Sequence, residues 1–307
     1  MRLLTIGSGL RGAEIVELLH KKGVKVNKVP LFKCFCALNA EEHLRSISMS
    51  DDRKFYIHGD VSGFVNRVTA IHELYEGSLI VTSLEDDFGY LTSLELCEKL
   101  SRVTEDAVIV LALVPQLDTS SIGEIKKRIR DLRDATDILL LFEGEVGVER
   151  KILKVMNLVA LAGEIDLKKK VAGEVVVDTS DVFNALRSDG FAIAGVAERK
   201  IPLSIRNILF RRDSEMKAVR TRRMIELTEE ALKNVSINGD VETSKSALLL
   251  FAGNPEEMTM EGLFSSITMI ENLNRDIVVR YGDYPIPGKR KISAVLIFAG
   301  IRKFKFA

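Results

Sequence analysis

Two groups of residues have types and spacings that can do chemistry. The first is a carboxylate pair, Asp178 and Asp181, within Val175-Val176-Val177-Asp178-Thr179-Ser180-Asp181-Val182. Carboxylates so placed can polarise a water for attack on a phosphate. They also admit a structural role. An aspartate at the start of Thr179–Arg187, which the pattern predicts as a helix, satisfies free N–H groups and complements the helix dipole. The two roles are compatible, and the sequence leaves both open. The second group is Gly7-x-Gly9-x-x-Gly12, between a strand pattern and a helix pattern. Glycines there allow a tight turn and let a phosphate approach N–H groups at the positive end of a helix. Short glycine turns also join strand to helix with no ligand at all. A dinucleotide site wants, in addition, a carboxylate closing the second strand. That strand instead ends at Leu38-Asn39-Ala40, and Glu41 and Glu42 already sit in a helix pattern. A Rossmann-type oxidoreductase using NADH is therefore an incomplete reading.

The elements that must position these residues alternate. Strand patterns at Leu3–Ile6, Lys33–Leu38, Phe55–Ile57, Leu79–Ser83, Ala107–Val114 and Ile138–Phe142 are separated by helix patterns at Ala13–Lys22, Ala40–Ile47, Ser93–Arg102 and Ile122–Arg133. Such alternation predicts a parallel sheet covered by helices. Val148–Lys170 is apolar around much of its circumference and is predicted as one long buried helix. The triplet Val175–Val177 is predicted to end a strand on the two aspartates. Beyond it, strands at Phe191–Val196, Ala247–Ala252, Ile277–Tyr281 and Ile292–Ala299 alternate with helices near Arg220–Asn234 and Glu257–Asn274. The expected fold is α/β. A parallel-sheet domain over 1–147 joins, through a central helix over 148–172, a smaller α+β domain over 173–307.

Composition narrows the classes of function. In 307 residues, 46% are hydrophobic and 29% charged, the balance of a soluble globular chain. Forty-four basic and 44 acidic residues cancel, so bulk charge does not point to nucleic acid. No apolar run is long enough to span a bilayer, and a cytoplasmic chain is expected. Cys34, Cys36 and Cys97 make no disulfide framework and read as buried thiols. His20, His43, His58 and His72 show no ligand spacing, so no metal site is expected.

Taken in order, the segments resemble the FtsZ/tubulin superfamily, FtsZ more than tubulin. Cys36–Leu44 resembles its second strand and A-x-N-T-D-A-x-x-L loop, which puts Asn39 among the nucleotide-side residues with Gly7, Gly9 and Gly12. Val177–Val182 is similar to its L-D-F-A-D-V catalytic loop. Gly190–Gly195, Leu248–Thr259 and Lys291–Ile301 resemble the glycine-punctuated strand, the I-T-G-G-x-D-L-T turn and the closing strand. The resemblance implies a cytoskeletal, filament-forming subunit. GTP bound to one subunit would be completed by Asp178 and Asp181 of the next, stacked head to tail, and magnesium would be present only where GTP binds.

The departures from the family pattern matter as much. The G-G-G-T-G-(T/S)-G signature expected after Leu79–Ser83 is replaced by Asp86-Asp87-Phe88-Gly89-Tyr90-Leu91-Thr92. Two like charges ~4 Å apart at an effective dielectric near 20 repel by about 4 kcal/mol. Asp86 and Asp87 would therefore oppose a triphosphate unless they serve as magnesium ligands. The A-G-G-N-P loop is missing from Phe55–Gly77, Thr119–Glu124 replaces F-E-G-x-R, and Val176 stands where the family has asparagine. The recruitment peptide that such proteins carry in a tail is not expected.

The leading expectation is therefore a divergent FtsZ-like scaffold, self-associating or modulating the filaments of a homologue, with weak or no GTP hydrolysis. An active GTPase with Asp178 and Asp181 acting in trans is the alternative. Residues 199–223 carry nine basic side chains, Arg199, Lys200, Arg206, Arg211, Arg212, Lys217, Arg220, Arg222 and Arg223. They fit either a solvated face countered by Asp213, Glu215 and Glu226 or a contact with a protein, an anionic membrane surface or nucleic acid.

Overall fold

The computed structural model describes residues 1–70, 74–116, 122–164, 175–202 and 213–304. The chain divides into two compact units, Met1–Leu153 with Gly190–Ala192, and Lys154–Asp189 with Ile193–Ala307.

In the first unit, β1 (Leu3–Ser8) leads directly into α1 (Gly9–Lys22). A hairpin of β2 (Lys25–Val26) and β3 (Val29–Pro30) turns through Asn27 and Lys28, whose positive φ angles suit a two-residue connection. Then come β4 (Phe32–Leu38), α2 (Glu41–Ser46), β5 (Lys54–Tyr56), α3 (Ser62–Thr69), β6 (Gly77–Ser83), α4 (Asp87–Val103), β7 (Ala107–Val114), α5 (Ile122–Ala135) and β8 (Ile138–Glu143). The strands lie in the order β8-β7-β6-β1-β4-β5, all parallel. Every residue of β1, β6 and β7 is buried, which explains why these strands read as unbroken apolar runs rather than alternating ones.

The chain passes into the second unit within α6 (Val148–Leu161). There follow α7 (Thr179–Leu186), β9 (Phe191–Lys200), α8 (Asp213–Lys233), β10 (Ser246–Gly253), α9 (Met260–Glu271), β11 (Val278–Pro285) and β12 (Lys291–Ile301). Strand order here is β9-β12-β10-β11, with β10 antiparallel to β12 and parallel to β11. The α8 and α9 helices meet at buried hydroxyls, Thr228 Oγ1 to Ser266 Oγ at 3.0 Å. The expected α/β class and the parallel sheet are present.

Several expected boundaries differ for local physical reasons. Helix α1 begins at Gly9 rather than Ala13, because Gly9 at φ +75 turns the chain in a single residue. Helix α4 begins at Asp87 rather than Ser93, because Asp86 caps it. The acidic stretch expected as a loop is therefore a helical first turn. Helix α3 was not expected at all, since only Phe64, Val65 and Val68 of its eight residues are buried. The long helix stops at Leu161, where Ala162 and Gly163 turn; residues 165–174 lie outside the described residues. Val175–Val177 forms no strand. It runs extended beside β11, where Asp283 N–H donates to the Val175 carbonyl at 3.0 Å and Val175 N–H to Asp283 Oδ1 at 2.8 Å.

Two glycines set how closely helix approaches sheet. A Cβ on Gly12 would lie 2.1 Å from the Val81 carbonyl oxygen, and one on Gly195 would lie 1.9 Å from that of Ala231. Gly12→Ala and Gly195→Ala are each expected to lower stability by about 1–3 kcal/mol, since backbone must move to admit the methyl. Gly63→Ala, with open space around it, serves as the neutral control. Equal melting temperatures for all three variants would contradict this packing.

Candidate functional site

In the first unit, β6, β7 and β8 lie on one side of β1, and β4 and β5 on the other. The crevice outside the carboxyl ends of β1 and β6 is thus the place where such sheets take ligands. Two turns form it, Ser8–Gly12 and Leu84–Gly89. Helix α1, of 14 residues, and helix α4, of 17, both start there and bring their positive ends to it.

The Asp86 carboxylate fills the gap between those ends. Its Oδ1 accepts from Phe88 N–H at 3.0 Å, capping α4. A Cβ on Gly9 would lie 1.9 Å from Oδ2, and a Cβ on Gly89 would lie 2.8 Å from the same oxygen. The carboxylate could turn aside from such a Cβ, but Gly9 holds a positive φ and a Cβ on Gly89 would also lie 2.9 Å from the Ser8 carbonyl oxygen. Beside it sits the Thr82 hydroxyl. Thr82 is fully buried and its Oγ1 has no hydrogen-bond partner, yet it lies 3.0 Å from the position of a Gly89 Cβ. The Gly89 carbonyl accepts from Ser8 Oγ at 2.9 Å and Ser93 Oγ at 2.7 Å, which pins β1 to α4.

Arg128 of α5 holds the second turn from outside. It donates to the Leu84 carbonyl at 3.0 Å and pairs with Asp87 and Glu124. Its guanidinium lies 5.0 Å from the centre of the Tyr90 ring. Tyr90 in turn donates to Asp131 Oδ2 at 2.7 Å; burial first, and then that carboxylate, push its phenol up to about 12. Arg11 bonds Glu14 at 2.9 Å and pairs with Glu149 at the start of α6.

The glycine signal accordingly splits into three. Gly7 and Gly12 serve backbone packing, since Cβ atoms there would strike Ala13 and the Val81 carbonyl, and only Gly9 faces the crevice. Asn39 is exposed just past β4. Asp87 is taken by Arg128. Among the described residues no group of three or more His, Cys, Asp or Glu side chains could hold a metal ion. With Asp86 as it stands, a phosphate oxygen brought between Gly9 and Gly89 would meet a carboxylate oxygen, so the residues present do not fit a nucleoside triphosphate there. Thr119–Ser121, part of the segment replacing F-E-G-x-R, lies outside the described residues.

The aspartate pair belongs to the second unit. Asp178 is the N-cap of α7. Its Oδ1 accepts from Asp181 N–H and from the Ser180 hydroxyl, each at 2.7 Å. Those bonds, the backbone N–H foremost, hold its carboxyl below the usual value of 3.8, with Arg280 adding a smaller pull. Asp181 lies 3.6 Å from Arg280 Nη1 on β11. The capping role is therefore present. Val176, two residues before Asp178, and Val278, two residues before Arg280 on β11, are exposed.

Other candidates resolve into structure. Cys34, Cys36 and Cys97 are buried free thiols; burial first pushes Cys36 and Cys97 up to about 12. Of the basic segment, Arg206, Arg211 and Arg212 lie outside the described residues. Arg199 pairs with Glu226 and Glu230, Arg222 with Glu226, Lys217 with Glu261, and Arg220 and Arg223 with Glu257. Of the expected counter-charges Glu226 acts so; Glu230 of α8 and residues 257 and 261, far along the chain, act likewise. Glu257 is 5% exposed, so its arginine partners stabilise a buried charge. A pocket of about 60 Å³ lined by Met224, Phe251, Met258, Leu263 and Asp283 is far too small for a nucleotide. Sequence reasoning missed Arg128, Thr82 and Arg280, and no local pattern marks them.

The model for the C-terminal domain of the tubulin-like CetZ proteins matches residues 142–305. Tubulin-like protein CetZ1 of Haloferax volcanii is 26% identical over 268 residues, covering 79% of this chain and 67% of that protein. The structure of CetZ1 as a GDP-bound monomer superposes with a TM-score of 0.77 at 21% identity, over 99% of this chain and 96% of that one. CetZ2 of the same organism, solved as a GTPγS-bound protofilament, also gives 0.77, at 19% identity and 99% and 95% coverage. FtsZ of M. jannaschii, as its W319Y mutant, gives 0.68 at 15% identity, covering 98% of this chain and 91% of that one.

The Asp178 cap has a defined pH signature. Its folded pKa is depressed, so the stability it contributes is present above the ordinary carboxylate value and lost as pH falls through the depressed one. Asp178→Ala is expected to lower the melting temperature at neutral pH and to lose that deficit on acidification below the ordinary carboxylate range. A deficit that does not change with pH would mean that the carboxylate charge plays no part.

Proposed function

The chain belongs to the tubulin-like CetZ family, and on that premise we propose that it is a cytoskeletal filament subunit that stacks head to tail on its own copies, with GTP turnover weak or absent. The observation that carries the second clause is the Asp86 carboxylate seated between Gly9 and Gly89. It supports a crevice whose negative charge is supplied by the protein. Support for stacking comes from CetZ2, whose structure is a protofilament, and from the face around the start of α7. There Val176 and Val278 are 56–58% exposed, on the segments that carry Asp178 and Arg280, the latter beside Asp181. Apolar side chains of this size, left to water and ringed by charge, fit an interface with another subunit. The strand-end crevice of the first unit is the surface that a following copy would meet.

One observation favours the second reading, an active GTPase: the related CetZ1 is GDP-bound. In that reading GTP rests on Gly7, Gly9, Gly12 and Asn39, with magnesium, and is cleaved by Asp178 and Asp181 of the next subunit. It requires the Asp86 side chain to leave its place. The oxidoreductase reading has no such support, because β4 ends without a carboxylate.

Purified protein is expected to sediment as polymer to the same extent with and without GTP, and Val278→Asp is expected to abolish the pellet. Titration calorimetry with GTP and magnesium is expected to give no binding heat. Tight GTP binding with phosphate release that falls on Asp181→Ala would establish the active enzyme instead. A strictly monomeric protein would remove the self-stacking reading. Altered filaments of a homologue in its presence would then point to capping.

A further inference from the structure

We propose that Asp283 is a positioning residue: by holding Val175 at two points on the edge of the second-unit sheet, it fixes where Asp178 and Asp181 are offered to a neighbouring subunit. This rests on the reading above that the start of α7 belongs to a stacking face, and it deepens that reading by naming the residue that sets the face.

Asp283 lies on β11, the outermost strand of its sheet. Val278 N–H points to the β10 side, where it donates to the Lys245 carbonyl at 3.0 Å. Asp283, further along the same strand, points its N–H the other way, to the Val175 carbonyl at 3.0 Å. A paired strand would return the next bond to a main-chain carbonyl. Here the Val175 N–H goes instead to the Asp283 side chain, at 2.8 Å from Oδ1. One residue thus engages both main-chain groups of Val175, across 108 positions of sequence.

Two neighbours on β11 complete the seat. A Cβ on Gly282 would lie 2.8 Å from the Val175 carbonyl oxygen and 2.4 Å from Val177 Cγ2, so the segment lies flush on the strand only while residue 282 has no side chain. Arg280 lies 3.6 Å from Asp181 and pulls on Asp178 as well. The segment therefore runs antiparallel to β11, with Val175 against Asp283, Val177 against Gly282 and the aspartates against Arg280.

What the hold does follows from the length of chain involved. Three residues of extended chain span at most about 10–11 Å, so pinning Val175 confines Asp178. The bonds from Asp181 N–H and the Ser180 hydroxyl orient the Asp178 carboxylate, but they are local to the first turn of α7. The last turn is anchored separately, where the Ser246 hydroxyl donates to the Ala185 carbonyl. The bonds at Asp283 fix the entry to the first turn. A segment held in place beforehand does not have to be ordered when a partner binds, and the saved entropy appears as affinity. What Asp283 supplies through Oδ1 is an acceptor, and an asparagine carbonyl can supply the same.

The test compares full-length Asp283→Ala, Asp283→Asn and Gly282→Ala with the parent. The first measurement is amide hydrogen exchange at protein concentrations too dilute for assembly. Asp283→Ala is expected to speed exchange at Val175 and Asp181 about five- to tenfold, the worth of roughly one hydrogen bond, and to leave the amides of β12 unchanged. Gly282→Ala keeps the acceptor but lifts the same segment from β11, and is expected to act alike. Asp283→Asn is expected to match the parent. The second measurement is the concentration at which polymer begins to sediment. It is expected to rise about fivefold in Asp283→Ala and to return to the parent's value in Asp283→Asn, that is, by the same single bond. In a background that already carries Asp178→Ala and Asp181→Ala, Asp283→Ala is expected to add nothing, because it acts through the placement of those carboxylates; a merely structural role would add in full. Parental exchange at Val175 and Asp181 in both Asp283→Ala and Gly282→Ala overturns the inference. So does an Asp283→Asn variant as defective as Asp283→Ala, or an undiminished effect where both aspartates are gone. A parent that never sediments removes the stacking reading, and with it the role in assembly, while the exchange measurement still decides the hold on Val175.

Discussion

Two helices whose positive ends converge on one spot need an anion there, and in this chain Asp86 is that anion. The constraint reaches outward from it. The places of a Cβ on Gly9 and on Gly89 both lie against its Oδ2. Helix α4 starts at Asp87 because Asp86 caps it. Ser8 and Ser93 both donate to the Gly89 carbonyl, which locks β1 to α4 around the same centre. Arg128 secures the turn from α5, so three helices and two strands share one small electrostatic hub. A helix N-terminus left without an anion or a cap keeps several N–H groups unsatisfied. Here the protein meets part of that need itself.

The second unit shows the same economy with charge. Among the described residues, Arg199, Arg220, Arg222 and Arg223 of the basic segment are paired with carboxylates of α8 or of residues 256–257. Glu257 sits buried against Arg220 and Arg223. Breaking such a pair leaves a charge uncompensated in a poor solvent for it. The segment therefore ties the 254–259 turn to α8, and its net attraction for anionic partners is reduced. Asp178 follows the pattern on α7, where its carboxylate is engaged by Asp181 N–H and the Ser180 hydroxyl. A capping carboxylate is oriented by its bonds, and the same orientation suits a group offered to a neighbouring subunit.

Membership of the tubulin-like CetZ family and the Asp86 arrangement pull on the function from opposite sides. The fold carries the strand-end crevice and an exposed apolar face bearing Asp178 and Asp181. The crevice carries an acidic residue, whereas related proteins have been solved with GDP or GTPγS. The filament subunit with weak or absent GTP turnover proposed above is the reading that takes both into account.

Much of this was legible in the chain itself. Buried parallel strands announce themselves as aliphatic runs, so the ends of β1, β4, β6, β7 and β8 were placed to within two residues. The cap at Asp178 follows from residue type ahead of a helical pattern. The acidic replacement after β6 marked the crevice as unusual. What the sequence could not give was contact across distance. Arg128 meets Asp87 from 41 residues away, Arg280 meets Asp181 from 99, and Thr82 is an ordinary strand residue until α4 closes over it. Sequence periodicity reports which face an element buries, because that depends on neighbours three or four residues away. Whether an aspartate repels a ligand or replaces it depends on which backbone groups surround it, and only the folded chain brings Gly9 and Gly89 to the same oxygen.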